Sequence, residues 1–243
     1  MISEKSGKKE NIQRVHYVIL GFYTFKDVLK KLEDMLKFYR LEDLGVKKEK
    51  EIIYDTKGDL LSNAGIVISK NYHDQKVEFN VTKISMLPGE MKRPSQKFLL
   101  GDLEEDSEPR DFSLEVSAAI ENLFGVKFTF DLDSIVRQTF PKIAIDIDKH
   151  EYNIIGGTGY RAKLSYENNV YRDVASNNKV TSDGVTLKIF LDEKYQEENK
   201  KILNMIERKI KELGLFDLSR FEIAKKLLYP PVEEDEEGGE GEE

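Results

Sequence analysis

The most restrictive feature of this sequence is a set of segments in which polar and apolar residues alternate one by one. The clearest runs from Tyr160 to Glu167, and residues 77–82 and 185–191 repeat the pattern. Successive side chains of a β-strand point to opposite faces, so residues two apart share a face. Each segment is therefore predicted to be a strand with one apolar and one polar face. The polar faces carry Arg161, Lys163, Ser165 and Glu167, then Glu78, Asn80 and Thr82, then Thr186 and Lys188.

This alternation fits two architectures. In one, an ordinary antiparallel sheet packs its apolar faces on helices and leaves its polar faces in water. In the other, the sheet closes into a barrel and the polar faces line its lumen. A lumen that holds Arg161, Lys163 and Lys188 would concentrate positive potential and suit a polyphosphate or another compact anion. The pattern alone does not distinguish the two architectures.

Helical patterns are confined to a few segments of the chain. The strongest is an amphipathic helix that ends near Gly214. Its apolar face is formed by Tyr195, Ile202, Ile206, Ile210 and Leu213. Shorter helical patterns occupy residues 25–36, parts of 113–140 and the segment that begins at Ser219. Several antiparallel strands with helices kept apart from them predict an α+β fold.

The chain is predicted to form a single domain over residues 14–232, because candidate strands lie on both sides of residues 86–112. This middle segment holds three of the six prolines and a cluster of charges, and is predicted to be a loop insertion. Residues 1–13 are predicted to be a flexible N-terminus. Residues 233–243 contain eight acidic residues and no basic one, so they are predicted to be a disordered acidic tail.

The composition excludes several function classes. The sequence has no cysteine, which excludes disulfides, thiolate metal sites and cysteine nucleophiles. Its three histidines, at positions 16, 73 and 150, are too far apart for an HExxH zinc site. Outside the tail, 38 acidic residues balance 38 Lys and Arg, which argues against a nucleic-acid partner. The sequence shows no secretory signal and no apolar run of about 18 residues, so we expect a cytoplasmic protein without a membrane-spanning helix.

Two regions of the sequence resemble the CYTH family of triphosphate tunnel proteins, which includes class IV adenylate cyclases and thiamine triphosphatases. The first is Tyr54-Asp55-Thr56, followed by a leucine-containing turn and the pair Ala64-Gly65. The second, near the C-terminus, is similar to the L-G-L and S-K-Y-E segments of the family. It consists of Leu213, Gly214 and Leu215, followed by Ser219, Arg220, Phe221 and Glu222. The resemblance covers roughly residues 14–229, and its motifs match in patches.

The resemblance implies an eight-stranded antiparallel barrel with flanking helices, whose polar lumen binds a triphosphate. In this family, paired glutamates hold Mg²⁺ or Mn²⁺, and inward Arg and Lys side chains hold the phosphates. Members hydrolyse triphosphate compounds or cyclise ATP. By this resemblance Arg161, Lys163 and Arg172 take the positions of phosphate-binding cations, and Lys188 joins them on the predicted polar face.

The sequence departs from the family where the acidic residues should be. The first strand of the family carries E-x-E-x-K, whereas His16 to Leu20 stand here, and the late E-x-E strand is replaced by Lys188-Ile189-Phe190. A hard divalent cation needs several oxygen ligands. The loss favours a noncatalytic binder of a polyphosphate or nucleotide-type anion, or a scaffold subunit with a protein partner. The alternative is a metal-dependent triphosphatase in which Glu78 and Glu167 form a relocated Mg²⁺ or Mn²⁺ site.

The acidic tail gives a first testable prediction. Deleting residues 233–243 should leave the melting temperature nearly unchanged, because an acidic segment without apolar residues contributes no packing. If the tail instead mimics a polyanion and docks in a basic lumen, its deletion should strengthen the binding of added triphosphate. Thermal melts of the full and shortened chains, with and without triphosphate, separate the two outcomes.

Overall fold

A computed structural model gives the fold of the chain. It describes residues 12–18, 27, 30, 37, 39–73, 76–84, 95–98, 106–157, 159, 161–190, 195–213 and 218–230. Within these residues, no helix has both the length and the hydropathy that crossing a membrane requires.

Eight antiparallel strands form one sheet. They are β1 (Ile12–Val18), β2 (Arg40–Asp55), β3 (Ile66–His73), β4 (Lys76–Lys83), β5 (Ser95–Phe98), β6 (Phe140–Ile155), β7 (Arg161–Asp173) and β8 (Lys179–Phe190). Their order across the sheet is β1-β8-β7-β6-β2-β3-β4-β5. The predicted α+β fold with an antiparallel sheet and flanking helices is confirmed. The sheet ends at β1 and β5, and no pairing joins these two strands in the described part of the chain.

Helices cover both faces of the sheet. They are α1 (Leu60–Asn63), α2 (Ser113–Phe124), α3 (Leu132–Arg137), α4 (Gln196–Leu213) and α5 (Arg220–Leu228), and a 3-10 turn at Pro109–Phe112 precedes α2. We call the face that packs against α2 and α3 the outer face. Its core includes Tyr54, Ile68, Val81, Val116, Ile120 and Val136. The opposite, inner face packs its apolar end against α5. The core there includes Ile53, Ile143, Ile145, Tyr171, Ile223 and Ala224.

The strands are longer than the sequence pattern predicts. Residues 161–173 form one continuous strand, although the pattern suggests a break between the segments YRAKLSY and VYRDVAS. The segment 86–112 contributes β5 and the 3-10 turn and is therefore not only a loop. Strand β1 begins at Ile12, inside the segment predicted to be flexible. Most of the predicted helix at 25–36, and the whole acidic tail, lie outside the described residues.

The Tyr54-Asp55-Thr56 segment has a structural role at the end of β2. The Asp55 carboxylate is buried and accepts hydrogen bonds from the backbone N–H groups of Thr56 and Leu61 on Oδ1, at 2.7 and 3.0 Å, and from Ser62 on Oδ2 at 3.1 Å. The N–H groups of Leu61 and Ser62 belong to the first turn of α1 and have no partner within a helix. Asp55 therefore fixes the turn between β2 and β3, while Tyr54 packs in the outer core.

We predict that Asp55→Ala destabilises the protein by about 1–3 kcal/mol, because it leaves buried N–H groups without an acceptor. Urea unfolding measures the change in the free energy of unfolding. Asp55→Asn, which keeps one acceptor oxygen, should cost less. The exposed Asp148, which lies on β6 and forms a 3.7 Å ion pair with Lys48, provides the matched control Asp148→Asn with little effect. Equal stability of Asp55→Ala and the parent would contradict the capping role.

Candidate functional site

The inner face buries polar side chains along the middle of the sheet. Ser165, Glu167 and Asn169 on β7 are 4%, 2% and 2% exposed, and Thr186 on β8 is also buried. An ordinary sheet with one wet face would leave such residues in water. The middle of the inner face is therefore enclosed, whereas Arg40 and Glu42 near its end are exposed.

The register brings basic residues together at one end of the inner face. Lys163 is paired with Lys188 on β8, and Lys188 is paired with Arg14 on β1. We call a set of residues paired across neighbouring strands a row. In the next row on this face, Arg161 is paired with Ile155 on β6, which is itself paired with Arg40 on β2. We call the five residues Arg14, Arg40, Arg161, Lys163 and Lys188 the basic end. The one acidic residue in these described pairings is Glu42, which accepts a hydrogen bond from Asn153 at 2.9 Å.

Farther along the inner face, Arg220 at the start of α5 is held by two glutamates. Its Nε donates to Glu167 Oε2 at 2.9 Å, and its Nη2 donates to both Glu167 oxygens at 2.8 Å. Its Nη1 donates to Glu51 Oε2 on β2 at 3.2 Å. Thr186 also donates to Glu167 Oε1, at 3.1 Å. The arrangement ties α5 to β7 and β2 by charge-assisted hydrogen bonds.

The charge states of this cluster follow from the contacts. Burial alone would lower the pKa of Arg220, but the negative charges of Glu167 and Glu51 outweigh burial and raise it. Arg220 is therefore always a cation. Arg220 thereby gives Glu167 and Glu51 a counter-ion, which offsets the desolvation of the cluster.

Local sequence explains why Arg220 is placed there. Ser219 caps the N-terminus of α5, since Glu222 N donates to Ser219 Oγ at 3.2 Å and Ser219 N donates to Glu222 Oε2 at 2.7 Å. Ser219 and Glu222 thus form a capping box, in which each side chain accepts from the other's backbone N–H. It fixes the first turn of the helix next to the sheet, and Ile223 and Ala224 pack α5 against the inner face.

A second group of charges lies between Arg220 and the basic end. Glu151 on β6 forms ion pairs with Lys149 at 3.1 Å and with Lys47 at 3.3 Å, and Lys149 also reaches Glu49 at 3.4 Å. Burial alone would raise the pKa of Glu151, but the positive charges of Lys149 and Lys47 lower it below its ordinary value. Glu151 therefore carries a negative charge inside the protein at neutral pH.

Two amide groups of the inner face have unused hydrogen-bonding capacity. Asn169 Oδ1 on β7 and Asn80 Oδ1 on β4 are buried, and neither has a hydrogen-bond partner among the described residues. Nearly all buried polar groups in proteins bond to protein or to ordered water. These acceptors are sites for water or for a donor group of a ligand.

The structure separates the predicted site residues. Arg161, Lys163 and Lys188 come together by register. Arg172 does not join them, because eleven residues of continuous strand separate it from Arg161 and an odd separation places it on the other face. There Arg172 lies 4.0 Å from Asp146. The prediction grouped Arg172 with Arg161 on the family resemblance, which did not take account of the alternation of side chains along the strand.

The predicted metal ligands do not form a recognisable pair. Three strands, β3, β2 and β6, lie between Glu78 and Glu167 in the sheet. The carboxylate of Glu167 is occupied by Arg220 and Thr186. Among the described residues, no three His, Cys, Asp or Glu side chains are grouped as a metal site would require. A Mg²⁺ or Mn²⁺ site at Glu78 and Glu167 stays a prediction.

Sequence reasoning missed the charged residues at the centre of the inner face. They are Lys47, Glu49, Glu51, Lys149, Glu151 and Arg220. Charged residues recur at every second position in 47–51 and again at 149 and 151. In a strand this spacing places them on one face, so it could have indicated most of the group. The contribution of Arg220 depends on a helix far along the chain, so no local pattern shows it.

Comparisons with known proteins come mainly from solved structures. No family model matches the chain, and no curated protein matches its sequence. The fold is similar to a protein of Pyrococcus horikoshii, with 11% identity, a TM-score of 0.45 and coverage of 88% of this chain and 99% of that one. A candidate adenylate cyclase from Bacillus halodurans has 10% identity and a TM-score of 0.46, with coverage of 86% and 94%.

A third similar structure is a candidate adenylyl cyclase from Hippeastrum with a dominant triphosphatase activity. It has 13% identity and a TM-score of 0.47, and the match covers 91% of this chain and 98% of that one. Identities and TM-scores this low describe a likeness of fold and carry no assignment of activity. Cyclase-type proteins, the class that the sequence resembles, are thus among the structural neighbours of this chain.

Proposed function

We propose that the protein binds a compact anion of the polyphosphate or nucleotide type at the basic end of the inner face, without metal catalysis. The observation that carries the proposal is the register of β1, β8, β7, β6 and β2. It collects Arg14, Arg40, Arg161, Lys163 and Lys188 within two adjacent rows. Several phosphate oxygens offer the multiple acceptors that such a group of donors can bind.

The electrostatics of the enclosed face support the binding of an anion. Lys163 forms no ion pair with any residue in the described ranges, although the charge of Glu151 acts on it at longer range. Cations on neighbouring strands repel each other, and at separations below the Debye length salt screens that repulsion only in part. A bound anion relieves the repulsion and should therefore stabilise the folded protein.

The environment of Glu167 supports the noncatalytic part of the proposal. A carboxylate that binds Arg220 through both oxygens has little capacity left for a hard metal ion, which would have to displace the guanidinium. The alternative, a triphosphatase with Mg²⁺ or Mn²⁺ at Glu78 and Glu167, needs that displacement. A scaffold subunit without a small ligand is the third hypothesis, and it predicts no response to phosphate compounds.

The proposal predicts that triphosphate raises the melting temperature of the protein. Triphosphate at about a hundredfold excess over Kd should stabilise the fold by about 2.7 kcal/mol. For a chain of this size, that corresponds to a rise of roughly 5–10 °C. The double variant Arg161→Ala/Lys163→Ala should lose most of the rise, because it removes two neighbouring donors of the basic end. Differential scanning calorimetry measures both proteins with and without triphosphate.

Arg172→Ala is the matched control for this experiment. It removes one cation from the same strand but from the outer face, so the rise caused by triphosphate should persist. If both variants lose the same share of the triphosphate-induced increase in melting temperature, triphosphate is attracted nonspecifically by the protein's positive charge. No rise in the parent protein would exclude the anion-binding proposal and favour a scaffold role.

The second prediction concerns turnover. With Mg²⁺ or Mn²⁺ present, release of phosphate from triphosphate or ATP should not exceed that of the Glu78→Gln/Glu167→Gln variant. The reason is that Arg220 occupies the carboxylate that the metal would need. A malachite-green assay over a range of metal concentrations measures the release. Turnover clearly above that of the variant would establish the triphosphatase alternative.

A further inference from the structure

The inner face changes its electrostatic character along the strands. At the basic end, five cationic residues accompany one glutamate in the described pairings. Beyond it, four glutamates, Glu49, Glu51, Glu151 and Glu167, accompany Lys47, Lys149 and Arg220. A face that is basic throughout would accept a long polyanion, whereas this one turns acidic after two rows.

Glu151 lies at the boundary between the two regions. It is paired with Ser165, and it is two residues from Asn153, the partner of Lys163. Its row therefore lies roughly 6–7 Å from the row of Lys163. Its side chain is 9% exposed, and its oxygens bind Lys149 and Lys47 on the side away from Lys163 in register.

We propose that Glu151 sets the length of anion that the site accepts, limiting it to short chains such as pyrophosphate and triphosphate. This inference rests on the proposed binding function. An anion that lies across the strands within the basic end meets five cationic residues and one glutamate, Glu42. A longer chain that extends along the strands brings its next phosphate against the Glu151 carboxylate, and like charges repel strongly where water is excluded.

Glu151 determines specificity by repulsion and not by contact with the bound ligand. Binding sites commonly reject the wrong ligand by placing a like charge where that ligand would extend. Lys149 and Lys47 neutralise Glu151 in total charge, but in register they lie on its other side, and Lys149 also pairs with Glu49. A phosphate that approaches from the basic end meets the carboxylate before it meets those lysines.

The test compares pyrophosphate, triphosphate and a long linear polyphosphate by isothermal titration calorimetry on the full chain. The parent protein should bind triphosphate with a lower Kd than long-chain polyphosphate, when both concentrations are counted in molecules. Glu151→Gln should raise the affinity for long-chain polyphosphate about tenfold, because it removes one like charge. It should change the affinity for pyrophosphate much less.

Asp148→Asn is the matched control, because it removes the same charge from the same strand on the outer face. It should change all three affinities alike and only slightly. If Glu151→Gln strengthens all three anions by one common factor, the residue acts through total charge and the inference is wrong. Long polyphosphate that binds the parent as tightly as triphosphate would also overturn it, while the proposed function would stand.

Glu151→Asp keeps the inference testable if the glutamine variant does not fold. Aspartate keeps the negative charge, so the preference for short chains should remain. A folded Glu151→Asp protein without that preference would contradict a mechanism based on charge. If none of the three anions binds the parent protein, the failure belongs to the proposed function itself.

Discussion

The interaction on which the rest of the structure depends is the contact of Arg220 with Glu167 and Glu51. It joins α5 to β7 and β2, which are separated in the sheet by β6. These buried charges cannot be separated cheaply, because each would remain without a counter-ion in a poorly solvated interior. The cluster therefore holds α5 against one end of the inner face, and it also consumes the carboxylate that a metal would need. The hydrogen bonds that position α5 are thus the same ones that occupy the carboxylate of Glu167.

The same cluster divides the inner face into two regions with different uses. Around Arg220 the charges are satisfied within the protein, so this region gains little from a ligand. At the basic end the register brings together more cationic than acidic residues, which is why we propose that an anion binds there. Binding capacity is thus concentrated where the protein has not neutralised itself. The position of Glu151 between the two regions decides where one ends and the other begins.

The sequence predicts the face on which a residue lies wherever side chains alternate along one continuous strand. Alternation placed Arg161, Lys163 and Glu167 on one face correctly, because residues two apart in a strand share a face whatever packs against it. Arg172 was grouped with them by the family resemblance, whereas alternation along the continuous strand places it on the other face. Strand β2 was missed in part because Lys47 to Glu51 carries charges on both faces and so shows no apolar alternation. Arg220 reaches Glu167 from 53 residues away, and the capping box at Ser219 predicts where α5 begins but not what it contacts.

The segments that resemble the CYTH family are those that fix the backbone. Asp55 caps the turn after β2, and Ser219 with Glu222 caps α5. Both roles depend on hydrogen bonds to main-chain N–H groups, which any chain with this topology must satisfy. The positions where the family carries catalytic acids hold instead His16 and Lys188, on strands β1 and β8 of this chain. Folding and catalysis make their demands on different residues, so a resemblance in the caps does not imply a resemblance in the chemistry of the interior.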